Sequence, residues 1–179
     1  MGDRSLVLDA NILIRAVLGR RARQLIQQYS PEVALFSPDT AFLEAEEHLA
    51  RLCTERSLPQ KETQVVYKGI SAIVQELPAP GYSMHEAEAR ARIEHLDPDD
   101  WPVLAAALAL DCPVSTEDMH FFGVGVPTWI TDRVEFYMAN KELLKPEKIK
   151  PSSEEGQEIH TACSAGPGSF QDFHERAIG

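Results

Sequence analysis

Short apolar runs alternate with amphipathic segments along residues 1–143, and few folds accommodate that order. The runs are bounded by turn residues, as buried parallel strands are, and they cover 5–8, 33–36, 112–115 and 127–131. Strands that alternate with helices form a parallel sheet that is covered on both faces. The sequence therefore predicts an α/β fold, a three-layer α/β/α sandwich around a central parallel sheet of four or five strands.

Helical segments are predicted between these strands. They cover 11–18, 20–29, 39–56, 60–77, 84–95, 103–110 and 118–122. The segment 103–110 is built from small and aliphatic residues, which let a helix pack closely on a sheet. Its first turn is open to two interpretations, because Pro98 and Pro102 each suit the first turn of a helix.

The chain changes character near residue 144. Residues 144–179 are poor in apolar side chains and carry several prolines and glycines, with four basic and six acidic residues. Such a composition is typical of a linker. We therefore predict one domain over 1–143, followed by a polar C-terminal tail over 144–179 that is a linker or a loosely attached arm.

The acidic composition restricts the partners of the chain. Seventeen Lys and Arg residues stand against 28 Asp and Glu residues, which gives a formal net charge of -11. Affinity for a polyanion normally comes from counterions displaced by Lys and Arg, so bulk attraction to nucleic acid is excluded. Either the chain has no nucleic acid partner, or some of its acids are gathered where cations neutralise them.

Cysteine use and hydropathy predict the compartment. The three cysteines form no CxxC pair, which excludes a disulfide scaffold and a thiolate zinc site and favours a reducing cytosol. No apolar run approaches the roughly 18–20 residues that cross a bilayer. We expect a cytoplasmic protein with no membrane partner.

Four acidic residues fall where an open parallel sheet binds its ligands, outside the carboxyl ends of the strands. Asp9 follows the first strand, Asp118 follows the strand at 112–115, and Glu44 and Asp100 lie on or before helices that face the same edge. Four bare carboxylates there would repel one another by several kcal/mol at an effective dielectric constant near 20. A hard divalent cation removes that repulsion, and oxygen ligands favour Mg²⁺ or Mn²⁺ over zinc. Such a centre is suited to the hydrolysis of phosphate esters.

Each acid also has a purely structural interpretation. Asp9 and Asp118 each suit the N-cap of the helix that follows, and Asp100 suits the positive end of its helix. Glu44 lies in an acidic stretch that is typical of a solvated helix face. Taken singly, each residue favours the structural role, whereas the set of four favours a site.

Four stretches of the sequence resemble the PIN-domain ribonucleases. Residues 6–15 (LVLDANILIR) resemble the family's first strand, which ends in Asp-x-Asn, and 42–49 (FLEAEEHL) resemble the helix that carries its Glu. Residues 97–108 (DPDDWPVLAAAL) are similar to the third acidic motif with its Ala-rich helix, and 115–123 (STEDMHFFG) to the fourth, Thr-x-Asp followed by Phe. The resemblance covers about residues 1–137.

The run from Trp101 to Arg133 is similar to one bacterial branch of that family, kin to VapC-type toxins. This resemblance implies the toxin of a type II toxin–antitoxin pair, with a cognate antitoxin protein that covers the acidic edge, and commonly a homodimer. For dimerisation, the apolar helix at 64–77 is a candidate, although its apolar stripe is equally suited to the core.

The resemblance also implies roles for individual residues. Asp9, Asp100 and Asp118 would bind Mg²⁺ or Mn²⁺, and Glu44 would complete the pocket directly or through water. The choice of Glu44 over Glu46 or Glu47 stays open, because these residues lie within one helical turn. The implied reaction is hydrolysis of an RNA phosphodiester to a 5′-phosphate and a 3′-hydroxyl.

Two polar side chains and a group of arginines complete the predicted site. Asn11 and Thr116 would orient metal, water or phosphate from behind the ligands. Arg15, Arg20 and Arg21 belong to the one dense basic segment of the sequence, and we expect this segment to steer the RNA backbone. The alternative is a helix end that only promotes solubility.

Two other classes of function stay open. A phosphatase of the haloacid-dehalogenase type also begins with an Asp after the first strand, but it uses Asp-x-Asp, and here the second position is Asn11. A non-catalytic PIN-like module that binds RNA or protein would have no need to hold four repelling carboxylates together.

Overall fold

The computed structural model describes residues 4–139, so the predicted tail at 144–179 lies outside the described residues. Strands and helices alternate along this part of the chain. The strands are β1 (Arg4–Leu8), β2 (Val33–Pro38), β3 (Gln75–Leu77), β4 (Val114–Ser115) and β5 (Thr128–Trp129). The helices are α1 (Ala10–Leu18), α2 (Arg21–Tyr29), α3 (Asp39–Glu55), α4 (Gln60–Ser71), α5 (Glu86–Ile93), α6 (Trp101–Leu110) and α7 (Val134–Ala139).

The five strands form one parallel sheet in the order β3-β2-β1-β4-β5. β1 is central, and its successive side chains Leu6, Val7 and Leu8 are at most 1% exposed although they point to alternate faces. Both faces of the sheet are therefore covered, which confirms the predicted α/β sandwich with a parallel sheet of four or five strands. Because all strands run the same way, β1, β2 and β4 end at the same edge.

The predicted helix at 60–77 is wrong in its last third. α4 ends at Ser71, and Gln75–Leu77 pairs with β2 as the edge strand β3. Gln75 and Glu76 are exposed, so β3 has no apolar period of two that the sequence could display. Tyr67 and Ile70 of α4 are buried in the core, whereas Val65 is exposed, so much of the apolar stripe considered for dimerisation serves the fold.

The beginning of α6 is held by two contacts of Trp101, one aromatic and one with a cation. Pro98 opens a short 3-10 turn, Pro98–Asp100, and the α-helix proper starts at Trp101. The ring of the fully buried Tyr82 packs against Trp101 with centroids 5.8 Å apart, and the Arg90 guanidinium lies 4.6 Å from the Trp101 ring centroid. These contacts hold the turn that carries Asp100 against the body of the domain.

The packing of α6 on the sheet follows from its composition. Residues 103–107 are at most 4% exposed, and three of them are alanines, so the helix approaches the sheet closely as predicted. Over residues 4–139, no helix combines the length and the hydropathy needed to cross a bilayer.

Candidate active site

Asp9 lies at the exit of β1, where the chain passes from strand to helix. Its amide donates to the Ser115 carbonyl of β4 at 3.1 Å, and its own carbonyl accepts from the Ile12 and Leu13 amides of α1. Although Asp9 holds the N-cap position, its side chain makes no capping hydrogen bond. Instead Oδ2 accepts hydrogen bonds from Asn11 Nδ2 at 2.5 Å and from Thr116 Oγ1 at 2.6 Å. The carboxylate is thus turned towards β4 and away from the role of a helix cap.

Asn11 and Thr116 join the exits of β1 and β4. Asn11 Nδ2 is 3.0 Å from Thr116 Oγ1, and Asn11 Oδ1 accepts from the Glu117 amide at 3.2 Å. Thr116 Oγ1 also accepts from the Asp118 amide at 2.9 Å. The Thr116 hydroxyl therefore contacts both the Asp9 carboxylate and the Asp118 amide. Asn11 and Thr116 thus lie in positions from which they can orient the acids.

Asp118 and Asp100 lie on separate connections that reach the same edge. Asp118 Oδ1 accepts from the His120 amide at 2.8 Å and lies 3.3 Å from His120 Nδ1, so the predicted capping role of Asp118 is present. Asp100 ends the turn before α6 at the N-cap position without a capping hydrogen bond, whereas Asp97 accepts from the Asp99 amide. The Asp100 carboxylate is therefore not used as a cap.

The charges of the four predicted acids act on one another. Burial raises the pKa of Asp9 to about 6, against the hydrogen bond from Thr116, and the charges of Glu44 and Asp118 raise it further. Burial also raises the pKa of Asp100 to about 7, together with the charges of Asp9, Asp97, Asp118 and Glu44. Each of the four acids thus lies within electrostatic reach of others in the set.

Glu44 lies on the side of α3 that faces this group. Its pKa is raised by partial burial and by the charges of Asp97, Asp99 and Glu47. Glu46, in contrast, accepts a hydrogen bond of 3.4 Å from Gln64 on α4. This contact distinguishes Glu46 from Glu44, whereas Glu47, whose charge acts on Glu44, stays an alternative, and Glu44 as the fourth acid stays a prediction.

The donor set fits a hard cation by its chemistry. All four side chains offer carboxylate oxygen, and two of them carry a pKa raised in part by mutual repulsion, which a bound cation would relieve. Within residues 4–139, no three His, Cys, Asp or Glu side chains already form a group that could hold a metal ion. The acids share one electrostatic field, and cation binding would require their side chains to draw closer.

The predicted basic segment does not form a single surface. Arg15 lies 3.5 Å from Glu117 Oε2 beside the exit of β4, whereas Arg21 pairs with Glu135 of α7 at 2.5 Å. Arg23 donates to the carbonyls of the last turn of α1 and serves as a structural cap. Arg20 is exposed. Of these arginines, Arg15 is the one that the described contacts place at the acidic edge.

Glu117 and His120 also lie at this edge, although the sequence analysis assigned neither to the site. Glu117 contacts Thr131 and Arg15, and His120 contacts Asp118. Their closeness to Asp118 in the sequence was the one feature that could have indicated a place at the site. The direction of the Glu117 side chain depends on Thr131, and no local pattern reveals that contact.

Comparison with known proteins agrees with this fold. The family model of the PIN domain matches residues 7–139, so the chain belongs to the PIN-domain family. The predicted family resemblance is therefore confirmed. None of the curated proteins matches the chain significantly.

Three solved structures share the fold at low identity. The VapBC2 complex of Rickettsia felis, bound to a DNA fragment from its promoter, has a chain with 11% identity and a TM-score of 0.57 over 70% of this chain and 98% of that one. PAE2754 of Pyrobaculum aerophilum has 14% identity and a TM-score of 0.61 over 76% and 90%. The DNA-bound VapBC of Salmonella typhimurium has 16% identity and a TM-score of 0.56 over 72% and 98%. Two of the three are VapBC complexes.

Because the pKa of Asp100 is raised, a substitution that removes its charge should stabilise the folded protein, and the gain should depend on pH. The folded-state pKa of about 7 exceeds the ordinary value of 3.8, so the Asp100 contribution to stability is fully present below pH 3.8 and is lost as the pH rises through 7. Asp100→Asn, which keeps a good N-cap residue, should therefore increase the free energy of unfolding at pH 8 by about 1–3 kcal/mol without added metal. The gain should vanish near pH 4. Urea denaturation at the two pH values measures it.

The matched control is Asp99→Asn, one residue earlier and exposed. It should change the free energy of unfolding little at either pH. If Asp100→Asn behaves like Asp99→Asn at pH 8, Asp100 does not lie in the field of the other acids.

Proposed function

We propose that the protein is a metal-dependent endoribonuclease that hydrolyses RNA phosphodiesters with Mg²⁺ or Mn²⁺. The observation that carries this proposal is the electrostatic coupling of Asp9, Glu44, Asp100 and Asp118 at one edge of the sheet of a PIN domain. These acids come from four separate segments of the chain, three of them connections and one the helix α3, and two of the acids make no capping bond with their side chains. Helix capping alone leaves their convergence unexplained.

In this proposal the acidic side chains bind the cation, and two polar side chains orient the acids. Asp9, Asp100 and Asp118 would hold the cation, and Glu44 would complete the pocket directly or through water. Asn11 and Thr116 fix the Asp9 carboxylate through its Oδ2 atom. When bound, Mg²⁺ or Mn²⁺ would supply Lewis acidity, which lowers the pKa of water and stabilises the negative charge on the phosphate. The expected products carry a 5′-phosphate and a 3′-hydroxyl.

The net charge of -11 makes the affinity for RNA weak and local. Neutralisation of the acidic cluster by a cation removes the strongest repulsion at the site. Arg15 stands beside the cluster, Arg20 is exposed, and Arg21 is paired with Glu135 of α7. We propose that these three arginines contact the RNA backbone, so that binding weakens steeply as salt increases.

The family supports a proposal about partners and compartment. Two of the structures with a similar fold are VapBC complexes. On that basis we propose that this protein is the toxin of a type II toxin–antitoxin pair, acts in the cytoplasm and forms a homodimer. A cognate antitoxin would place a segment over the acidic edge and so exclude RNA.

A haloacid-dehalogenase-like phosphatase fits the site less well. That chemistry needs a second Asp two residues after the first, as a general acid. Here the position is Asn11, whose Nδ2 donates to Asp9 Oδ2. An amide in this place has no proton to give to a leaving group.

Removal of single carboxylates tests the proposed activity. Asp9→Asn and Asp118→Asn should each lower RNA cleavage in Mn²⁺ by at least about 100-fold, because each removes a group that the charged transition state requires. Cleavage of a labelled RNA, resolved on a gel with Mn²⁺, Mg²⁺ or EDTA, measures this loss, and circular dichroism verifies the fold. Glu55→Gln is the control, because Glu55 is an exposed acid that pairs with Arg51 at the far end of α3.

Each other result points to a different function. Full RNA cleavage by Asp9→Asn and Asp118→Asn would contradict the proposed site. Hydrolysis of a phosphomonoester without RNA cleavage would favour the phosphatase. RNA binding without cleavage in either cation would favour the non-catalytic module.

Charge reversal of the basic segment tests substrate steering. Arg20→Glu combined with Arg21→Glu should raise the KM for RNA about tenfold at low salt and reduce the salt slope by about one per lost phosphate contact. Rates of RNA cleavage between low and moderate salt measure both effects. Arg51→Glu combined with Arg56→Glu, two exposed positions at the end of α3, is the control for the same change of net charge. Unchanged cleavage in the double variant would discard the steering role.

A further inference from the structure

Glu117 lies between Thr116 and Asp118, yet its side chain is directed to the exit of β5. Glu117 Oε1 accepts the Thr131 amide at 3.0 Å and also the Thr131 hydroxyl. Glu117 Oε2 lies 3.5 Å from the Arg15 guanidinium. Both carboxylate oxygens thus have partners, and these partners do not belong to the acidic cluster of Asp9, Asp100 and Asp118.

The main chain around Glu117 is held as well. The Thr116 amide donates to the Trp129 carbonyl at 3.0 Å, which extends the pairing of β4 with β5, and the Glu117 amide donates to Asn11 Oδ1. Thr131, which receives the Glu117 side chain, is only 5% exposed and so offers a firm anchor. The segment from Thr116 to Asp118 is therefore attached to both neighbouring connections of the sheet edge.

Asp118 lies on a loop that requires contacts of this kind to keep its position. β4 has only two residues, and Asp118 lies three residues beyond its end, with its side chain about one-third exposed. A ligand carried on a loop stays in a productive position only when neighbouring contacts fix that loop. Glu117 supplies one of these contacts directly beside Asp118.

We propose that Glu117 is a positioning residue, which anchors the loop after β4 to Thr131 and thereby holds the Asp118 carboxylate at the same edge of the sheet as Asp9 and Asp100. The inference rests on the proposed function, because it concerns the geometry of the cation site. Glu117 itself is not a ligand in this arrangement. The anchor depends on its acceptor oxygen at Thr131, and its negative charge is secondary.

Binding of Mn²⁺ without RNA tests the anchor. In isothermal titration calorimetry, Glu117→Ala should weaken the Kd for Mn²⁺ about 10–100-fold, the range for loss of a group that orients metal ligands. Glu117→Gln keeps a carbonyl oxygen for both Thr131 bonds and loses only the ion pair with the half-exposed Arg15. Its Kd should stay within about fivefold of the wild type.

Glu135→Ala is the matched control. Glu135, like Glu117, binds an arginine and a hydroxyl, in its case those of Arg21 and Tyr29, but it lies on α7 and has no described contact with the loop after β4. Its loss should lower the unfolding temperature about as much as Glu117→Ala does and leave the Kd for Mn²⁺ unchanged. Should Glu117→Ala fail to fold, Thr131→Val removes the hydroxyl half of the same anchor and should weaken Mn²⁺ binding several-fold.

The possible results separate this inference from the proposed function. A wild type that binds Mn²⁺ and cleaves RNA, together with a Glu117→Ala variant of equal Mn²⁺ affinity, would overturn the anchor alone. An equal loss of affinity in Glu117→Gln and Glu117→Ala would also overturn it, because charge and not position would then be the cause. A wild type without Mn²⁺ affinity would overturn the proposed function and the inference with it.

Discussion

The hydrogen bond from Thr116 Oγ1 to Asp9 Oδ2 joins two strand exits that lie 107 residues apart in sequence. Its geometry requires β1 and β4 to be adjacent and parallel, which the sheet order provides. The same hydroxyl accepts the Asp118 amide, so the positions of two acids depend on one side chain. The hydrogen bond also opposes the rise in the pKa of Asp9 that burial causes. A nearly buried carboxylate at the edge of the sheet is thereby kept in a defined orientation.

The acids at this edge impose a cost on the fold. The pKa values of about 6 for Asp9 and about 7 for Asp100 mean that ionisation at neutral pH works against folding. Asp9 and Asp100 occupy positions where a neutral N-cap residue would avoid that cost. A chain that keeps such charges together gains from them in some other way, and cation binding for phosphodiester hydrolysis is the gain that we propose. The overall excess of acidic residues then limits RNA affinity to the contacts near the site.

The sequence was informative where local pattern and topology determine structure. The apolar run before Asp9 predicts a strand buried on both faces, and parallel order then places Asp9 and Asp118 at one edge. The sequence did not predict contacts that depend on residues distant in the chain. β3 is exposed and is recognised only by its pairing with β2, and the Glu117 side chain takes its direction from Thr131. In the same way, Arg21 binds Glu135 on α7, a partner that no spacing within the basic segment indicates.

In the proposed site, carboxylates from separate connections bind one cation. Crystals grown with Mn²⁺ and measured near the manganese absorption edge test this directly, because the anomalous signal locates the ion independently of any assumed site. We predict one strong peak in contact with carboxylate oxygens of Asp9, Asp100 and Asp118, which requires these side chains to draw together from the positions described above. A peak bound by other residues, or no peak at this edge of the sheet at saturating Mn²⁺, would contradict it.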